Sequence, residues 1–271
     1  MRRRLLGAML ALVCLPGFGQ VAHPQVAGEE GDGTPGMYNF RVELSSDVRR
    51  FIGRGQESAI SHALVRVVTP PRFDQSKSYP LLVVSATAVR GHSSSRKLLD
   101  AYADAAAAQG WVLVAADPDG APEGTDEHTT ERFALNTVAL GILEQHWAWA
   151  AQAPIAFAGF SGGAKYSAML AAAFAAQGRM PVGVYLSGLN EPTLNEAAHA
   201  FKVRTEQFKQ LKVFFASGDE DEIATPGNHR DVLEATRNGG FHRTRLETYH
   251  GRHVPDASLL PAALRWFLAR D

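Results

Sequence analysis

The segment Gly159-Phe160-Ser161-Gly162-Gly163 offers this 271-residue chain a nucleophile. It fits G-x-S-x-G, the pattern of a serine set on a turn between a strand and a helix. Such a turn strains the serine backbone, so its neighbours must lack bulky side chains, and Gly159, Gly162 and Gly163 meet that demand. The pentapeptide alone is a loose signal, because a glycine-rich turn with an N-capping serine has the same letters. Its surroundings are more specific. The apolar run 155–158 precedes it and the alanine-rich stretch 164–176 follows. The hydroxyl would then stand at a helix N-terminus, where partial positive charge favours an oxyanion.

A hydroxyl attacks a carbonyl when a base takes its proton, and the base works when a third group holds its orientation. With this motif the acid and then the histidine follow the serine along the chain. The acids Asp219, Glu220, Asp221 and Glu222 come after the apolar run 213–216 and the pair Ser217-Gly218. Asp221 is the favoured orienter, because Ile223-Ala224 can tuck back behind it as an apolar anchor. Asp219 is the runner-up, and the remaining acids read as a solvated turn. His250-Gly251-Arg252-His253 follows the run 244–249. His253 is the favoured base, since Gly251 lets the chain turn before it. His250 is still at the strand end, with its side chain committed to one face.

These side chains need a frame that gathers distant segments. Residues 63–69 form a β-branched run, and 81–85 is continuously apolar, as in a strand buried on both faces. Residues 96–109 read as a helix, with Leu98, Leu99, Tyr102 and Ala106 on one stripe and Gly110 as its stop. The rhythm continues: strand 111–116, helix 130–149, strand 155–158, helix 162–176, strand 182–186, a largely helical 196–211, strand 213–216, helix 228–238, strand 244–249 and helix 258–269. Strands separated by single helices predict a doubly wound, mostly parallel α/β sheet with helices on both faces. Sites in such sheets lie beyond the carboxyl ends of the strands.

The N-terminus differs in kind. Arg2, Arg3 and Arg4 precede the short apolar stretch 5–15, and Gly17 and Gly19 offer a cleavage point before Gln20. That is the layout of a secretory signal over residues 1–19, and the apolar stretch is too short to span a membrane. Export to the periplasm or the medium is therefore expected. Cys14 is the only cysteine and lies inside this segment, after Leu12 and Val13 rather than after the small residue of a lipoprotein signal. Without it the chain has no thiol for a disulfide or for nucleophilic attack. Residues 20–37, rich in Gly, Pro and acids, read as a flexible linker.

Net charge is −1, and −4 without the first 19 residues, so no basic excess remains to neutralise nucleic-acid phosphates. No paired histidine spacing suggests a metal, although His92 and His128 fall in strand-end loops. The turn at Gly159 lacks the lysine of a phosphate loop and does not fit G-x-G-x-x-G. No cofactor is expected. Ser93, Ser94 and Ser95 read as helix caps, Trp147 and Trp149 as packing residues, and Asn190 and Glu191 as loop residues that line the site or face water.

From about residue 63 to 267 the chain resembles the α/β-hydrolase superfamily. It looks most like the secreted esterases that include polyhydroxybutyrate-depolymerase-like and feruloyl-esterase-like proteins. The resemblance rests on Thr69-Pro70-Pro71, Tyr79-Pro80-Leu81-Leu82-Val83-Val84, Gly159 to Ala164, Gly218-Asp219-Glu220-Asp221, and Gly251-Arg252-His253 ahead of Leu264-Arg265-Trp266-Phe267. It implies one α/β-hydrolase domain over 38–271, with Ser161, Asp221 and His253 as catalytic triad. One departure stands out. Such enzymes carry His-Gly after the strand ending at Val84 or Ser85, and here the chain reads Ser85-Ala86-Thr87-Ala88. By position the oxyanion donors are the backbone N–H groups of Gly162 and Ala88, with Thr87 second to Ala88. The function expected is hydrolysis of a small-molecule or polymeric carboxylic ester through an acyl-enzyme. The competing expectation, motivated by the missing His-Gly, is an exported binding or scaffold protein on the same fold.

Overall fold

Among the described residues the apolar runs become the middle of one nine-stranded sheet. The computed structural model of the protein describes residues 25–27, 36–87, 94–119 and 128–270. In chain order these residues form β1 (Gln25–Ala27), β2 (Met37–Glu43), α1 (Ser46–Ile52), β3 (His62–Val68), β4 (Leu81–Ser85), α2 (Ser95–Ala107), β5 (Val112–Asp119), α3 (Thr129–His146), β6 (Ile155–Phe160), α4 (Gly162–Ala176), β7 (Gly183–Ser187), α5 (Thr193–Ala200), α6 (Glu206–Lys209), β8 (Lys212–Gly218), α7 (Pro226–Asn238), β9 (Thr244–Tyr249) and α8 (Leu260–Leu268). The spatial order is β1-β2-β3-β5-β4-β6-β7-β8-β9. Pairing is parallel from β5 through β9 and antiparallel from β1 to β5. The doubly wound, mostly parallel sheet expected from the alternation is the one observed.

Side chains alternate between two cores, as the strand period of two requires. Leu81, Val83, Phe157 and Phe215 face the layer of α3, α4 and α5, whereas Leu82, Val84, Ala158 and Phe214 face α2 and α8. Both faces are covered, which is why these strands read as unbroken apolar runs. The chain leaves β4 toward β5 on one side and then crosses to β6 on the other. The direction of winding reverses there, so a crevice opens between the carboxyl ends of β4 and β6.

Several boundaries differ from expectation, each for a local reason. Residues 25–27 of the expected linker form β1, paired with β2 along one edge, an order carried by main-chain hydrogen bonds that composition does not encode. Strand β5 runs on to Asp119 because β3 pairs with it as far as His62. Helix α3 stops at His146, where Trp147 turns extended (φ −135°) and a 3₁₀ turn follows over Ala148–Gln152. Trp147 and Trp149 stack there with centroids 5.7 Å apart. The stretch 196–211 splits into α5 and α6 because Lys202 takes a positive φ of 56°, which lets Phe201, Val203 and Phe208 all reach the core.

Lys212 opens β8 fully inside the protein. Its Nζ donates to the carbonyls of Trp266 (2.7 Å), Phe267 (3.3 Å) and Ala269 (2.6 Å) at the end of α8. The ammonium satisfies carbonyls that the last turn leaves open and sits at the negative end of the helix dipole. It ties the last helix to the strand that delivers the acidic turn.

Candidate active site

Strand β6 runs straight into Ser161, whose φ of 55° and ψ of −123° are rare for an L-residue. The strain is supported from below, where the Ser161 N–H donates to the Ser187 carbonyl at 2.8 Å. Space decides the neighbours. A Cβ on Gly163 would overlap the Ser85 carbonyl oxygen, and one on Gly159 would overlap the Gly163 carbonyl. The first turn of α4 can therefore press against the end of β4. Gly162 faces Thr87, whose Cα would lie 3.4 Å from a Cβ built there. The serine turn and the turn after β4 thus meet in the crevice where the winding reverses.

The candidate acid and base arrive on a joined pair of loops. Beyond Gly218 the Asp219 N–H donates to the Tyr249 carbonyl (3.0 Å) and the Glu220 N–H to the Gly251 carbonyl (3.0 Å). Asp219 Oδ1 accepts the Gly251 N–H at 3.0 Å. Held this way, Asp221 Oδ2 lies 2.7 Å from His253 Nδ1, and His253 Nε2 lies 2.9 Å from Ser161 Oγ. Both distances are within hydrogen-bond reach for a nucleophile, a base and its orienter.

A model of the family Serine hydrolase (FSH1) matches residues 82–260. The chain belongs to this family. No curated protein matches the serine hydrolase in sequence. Its fold is shared with an S-formylglutathione hydrolase from Agrobacterium tumefaciens (12% identity, TM-score 0.61, covering 89% of this chain and 98% of that one). It is shared also with an acetyl xylan esterase from Paenibacillus sp. R4 (14% identity, TM-score 0.59, 97% and 92% covered). A third is an α/β serine hydrolase without lid from Xanthomonas campestris (20% identity, TM-score 0.53, 79% and 93% covered). The α/β-hydrolase fold expected from the motifs is the fold of this family.

Asp221 is buried in the serine hydrolase. Burial alone would raise its pKa, but the hydrogen bond with His253 and the N–H groups of Ala224 and Ile223, each 2.8 Å from Oδ1, outweigh it and hold the carboxyl below its usual range. The anchor expected of Ile223-Ala224 is half right. Ala224 is buried, but Ile223 is 62% exposed, and what the pair supplies to Asp221 is two backbone donors. Asp219 is not an idle turn residue. It carries the clasp to Gly251 and also accepts from His250, whose ring is exposed. That bond raises the pKa of His250, and the Gly251 N–H with His250 lowers that of Asp219.

The histidine loop is gripped from beneath as well. Tyr249 O–H donates to the Val254 carbonyl at 3.1 Å, and the Phe160 ring lies 4.7 Å from the His253 ring. Lys165 and Glu191 form an ion pair at 2.8 Å, so Glu191 is engaged rather than free. Ser94 caps α2, whereas Ser95 is wholly buried. Ala88, His92 and Ser93 lie outside the described residues. Among the described residues no group of His, Cys, Asp and Glu converges as a metal site. His229 carries no signal in the sequence. This histidine of α7 is fully buried near Asp221 and His253, with neither ring nitrogen hydrogen-bonded. A single histidine inside a helix carries no spacing signal that would have singled it out.

Proposed function

We propose that this serine hydrolase cleaves carboxylic esters, with Ser161 as nucleophile, His253 as general base and acid, and Asp221 as the orienting carboxylate. The observation that carries the reading is the unbroken hydrogen-bond relay from Ser161 Oγ through the imidazole to Asp221, at 2.9 and 2.7 Å. Ser161 Oγ attacks the carbonyl carbon as its proton passes to Nε2. Asp221, kept ionised by its donors, stabilises the imidazolium and fixes its tautomer. The oxyanion is bound by the N–H of Gly162 and by the turn after β4, where Thr87 is the described residue that stands against Gly162. We assign the second donor to this turn, at Thr87 or at Ala88, and the close approach of Thr87 to Gly162 supports Thr87. The imidazolium protonates the leaving oxygen and the alcohol departs. Water then gives a proton to His253 as it attacks the acyl-enzyme, and the imidazolium returns that proton to Ser161 Oγ as the acid is released.

The choice of ester is supported by a fold neighbour that is an esterase by name. A fluorophosphonate probe tests the nucleophile and a panel of p-nitrophenyl esters of rising acyl length tests the substrate. Wild type should label covalently and turn over at least one ester, and Ser161→Ala should do neither. A folded wild type that neither labels nor turns over any ester would return the protein to the binding role. Export is part of the proposal and rests on the arginine cluster and short apolar stretch before Gln20. Among the described residues no helix is long and apolar enough to cross a membrane. Mass spectrometry of protein from its native host decides export, since active cytoplasmic protein that keeps Met1 to Gln20 would sink it.

A further inference from the structure

Ser85-Ala86-Thr87 lacks the His-Gly pair expected after β4, yet its backbone is held from the side. The Ala86 N–H donates to Ser95 Oγ at 3.1 Å, in the buried interior. Ser95 is the first residue of α2 and has no exposed surface. Its hydroxyl accepts a second bond from Arg132 Nη1, and the same nitrogen donates to the Ala116 carbonyl at 2.7 Å. Arg132 lies in the first turn of α3 with its side chain 3% exposed. A buried guanidinium is costly unless it is paired and hydrogen-bonded. Its counter-charge is Asp117 at the end of β5, 3.7 Å away. That carboxylate accepts from Ser94 Oγ (2.6 Å), the Ser95 N–H (2.8 Å), the Arg96 N–H (3.1 Å) and Arg96 Nε (3.1 Å).

Nothing in the triad uses these groups. They join β5, α2 and α3, and the bond they present toward the crevice is the one to Ala86. Peptide planarity leaves two soft dihedrals between the Ala86 N–H and that of Thr87, so fixing the first narrows the direction of the second. From the other side the close fit of Gly163 on the Ser85 carbonyl limits where the strand end can go. We propose that Arg132, acting through the Ser95 hydroxyl, is a positioning residue for the oxyanion-binding turn and takes the place of the missing His-Gly. The inference rests on the reading of Ser161 as nucleophile and concerns what holds the turn opposite it.

The test uses the full chain as wild type, Ser95→Ala and Arg132→Lys, the latter keeping the charge beside Asp117. Each is measured for kcat and KM on a p-nitrophenyl ester, for inhibition by a trifluoromethyl ketone, and for fluorophosphonate labelling. The ketone adds to the serine as a hemiketal oxyanion, so its affinity reads the hole itself. Loss of a whole oxyanion donor costs about 10²–10³ in kcat, and a donor that is present but loosely aimed should cost less, about 10- to 100-fold. In Ser95→Ala, kcat should fall and the ketone inhibition constant rise by a common factor in that range, with KM within about twofold. Arg132→Lys should move both in the same direction. Unchanged kcat and ketone affinity in a folded Ser95→Ala overturns the proposal, as does a rise in KM alone. If neither variant folds, the network is a scaffold for the domain and the proposal is likewise overturned. Failure of wild type to label would instead strike the Ser161 reading.

Discussion

His229 should make the protein lose stability in mild acid, by an amount its surroundings define. Burial holds its pKa down at about 4, from 6.5; His253 adds to the lowering and Asp221 opposes it. The unfolded chain therefore takes up a proton as pH falls below about 6.5, while the folded protein waits until about 4. Stability is complete above that window and is lost as pH falls through it. At about 1.4 kcal/mol per pH unit the full gap is about 3 kcal/mol, of which about 2 kcal/mol is lost between pH 7 and pH 5. The comparison is urea unfolding at those two pH values for wild type and His229→Leu, which fills the site with an apolar side chain of similar size. Wild type should lose about 2 kcal/mol more than the variant, close to 1 M in the midpoint difference for a typical urea slope. At pH 7 the variant should be at least as stable, because an unsatisfied polar ring has been removed. Equal acid losses in the two proteins would show that the ring is not kept neutral by burial, and the reasoning would fail.

Other substitutions separate the roles of neighbouring residues. Asp221→Asn should lower kcat by about 10⁴, as expected when an orienting carboxylate is neutralised, with fluorophosphonate labelling slowed in parallel. Asp219→Asn should cost only a few-fold, because its amide oxygen can still accept the Gly251 N–H, whereas Asp219→Ala should cost distinctly more; equal effects would mean the clasp is unimportant. Gly163→Ala should lower kcat at least about 100-fold in whatever folds, since the new methyl overlaps the Ser85 carbonyl and must push β4 off the serine turn. Lys212→Met should cost about 2–3 kcal/mol in urea unfolding while leaving kcat of the folded protein unchanged, because it strips α8 of its charged cap far from Ser161.

The central strands were legible because they are buried on both faces, so 81–85 and 213–216 read as unbroken apolar runs. Strand β2 and helix α1 were not, since they lie at the antiparallel edge and carry only short mixed patterns. Ser161 was legible because its turn demands glycines within a few positions. The acid and base could be narrowed to two candidates each, since both sit in short loops after recognisable strands. Choosing between Asp219 and Asp221 depends on how the two loops clasp, which is a contact between segments distant in sequence. The same holds for Arg132, Ser95 and Asp117. They become one network only because β5 lies beside β4, and nothing in their spacing announces it.

Asp221 and His253 are separated by 32 residues, whereas His253 and Ser161 are separated by 92. The proposed acid and base belong to one β8–α7–β9 unit and can meet by a local closure. The serine stands on β6, and β7 and β8 must both be laid down before the histidine reaches it. Closing the longer span costs more chain entropy and needs intervening ladders to hold it. Enzyme activity is therefore a reporter of long-range order across β6, β7 and β8. A partly refolded chain can bury its tryptophans and dock its acid–base pair, yet it turns over substrate only when the β6–β7–β8 register is complete. Recovery of turnover during refolding, set beside recovery of fluorescence, times the completion of that register without any added label.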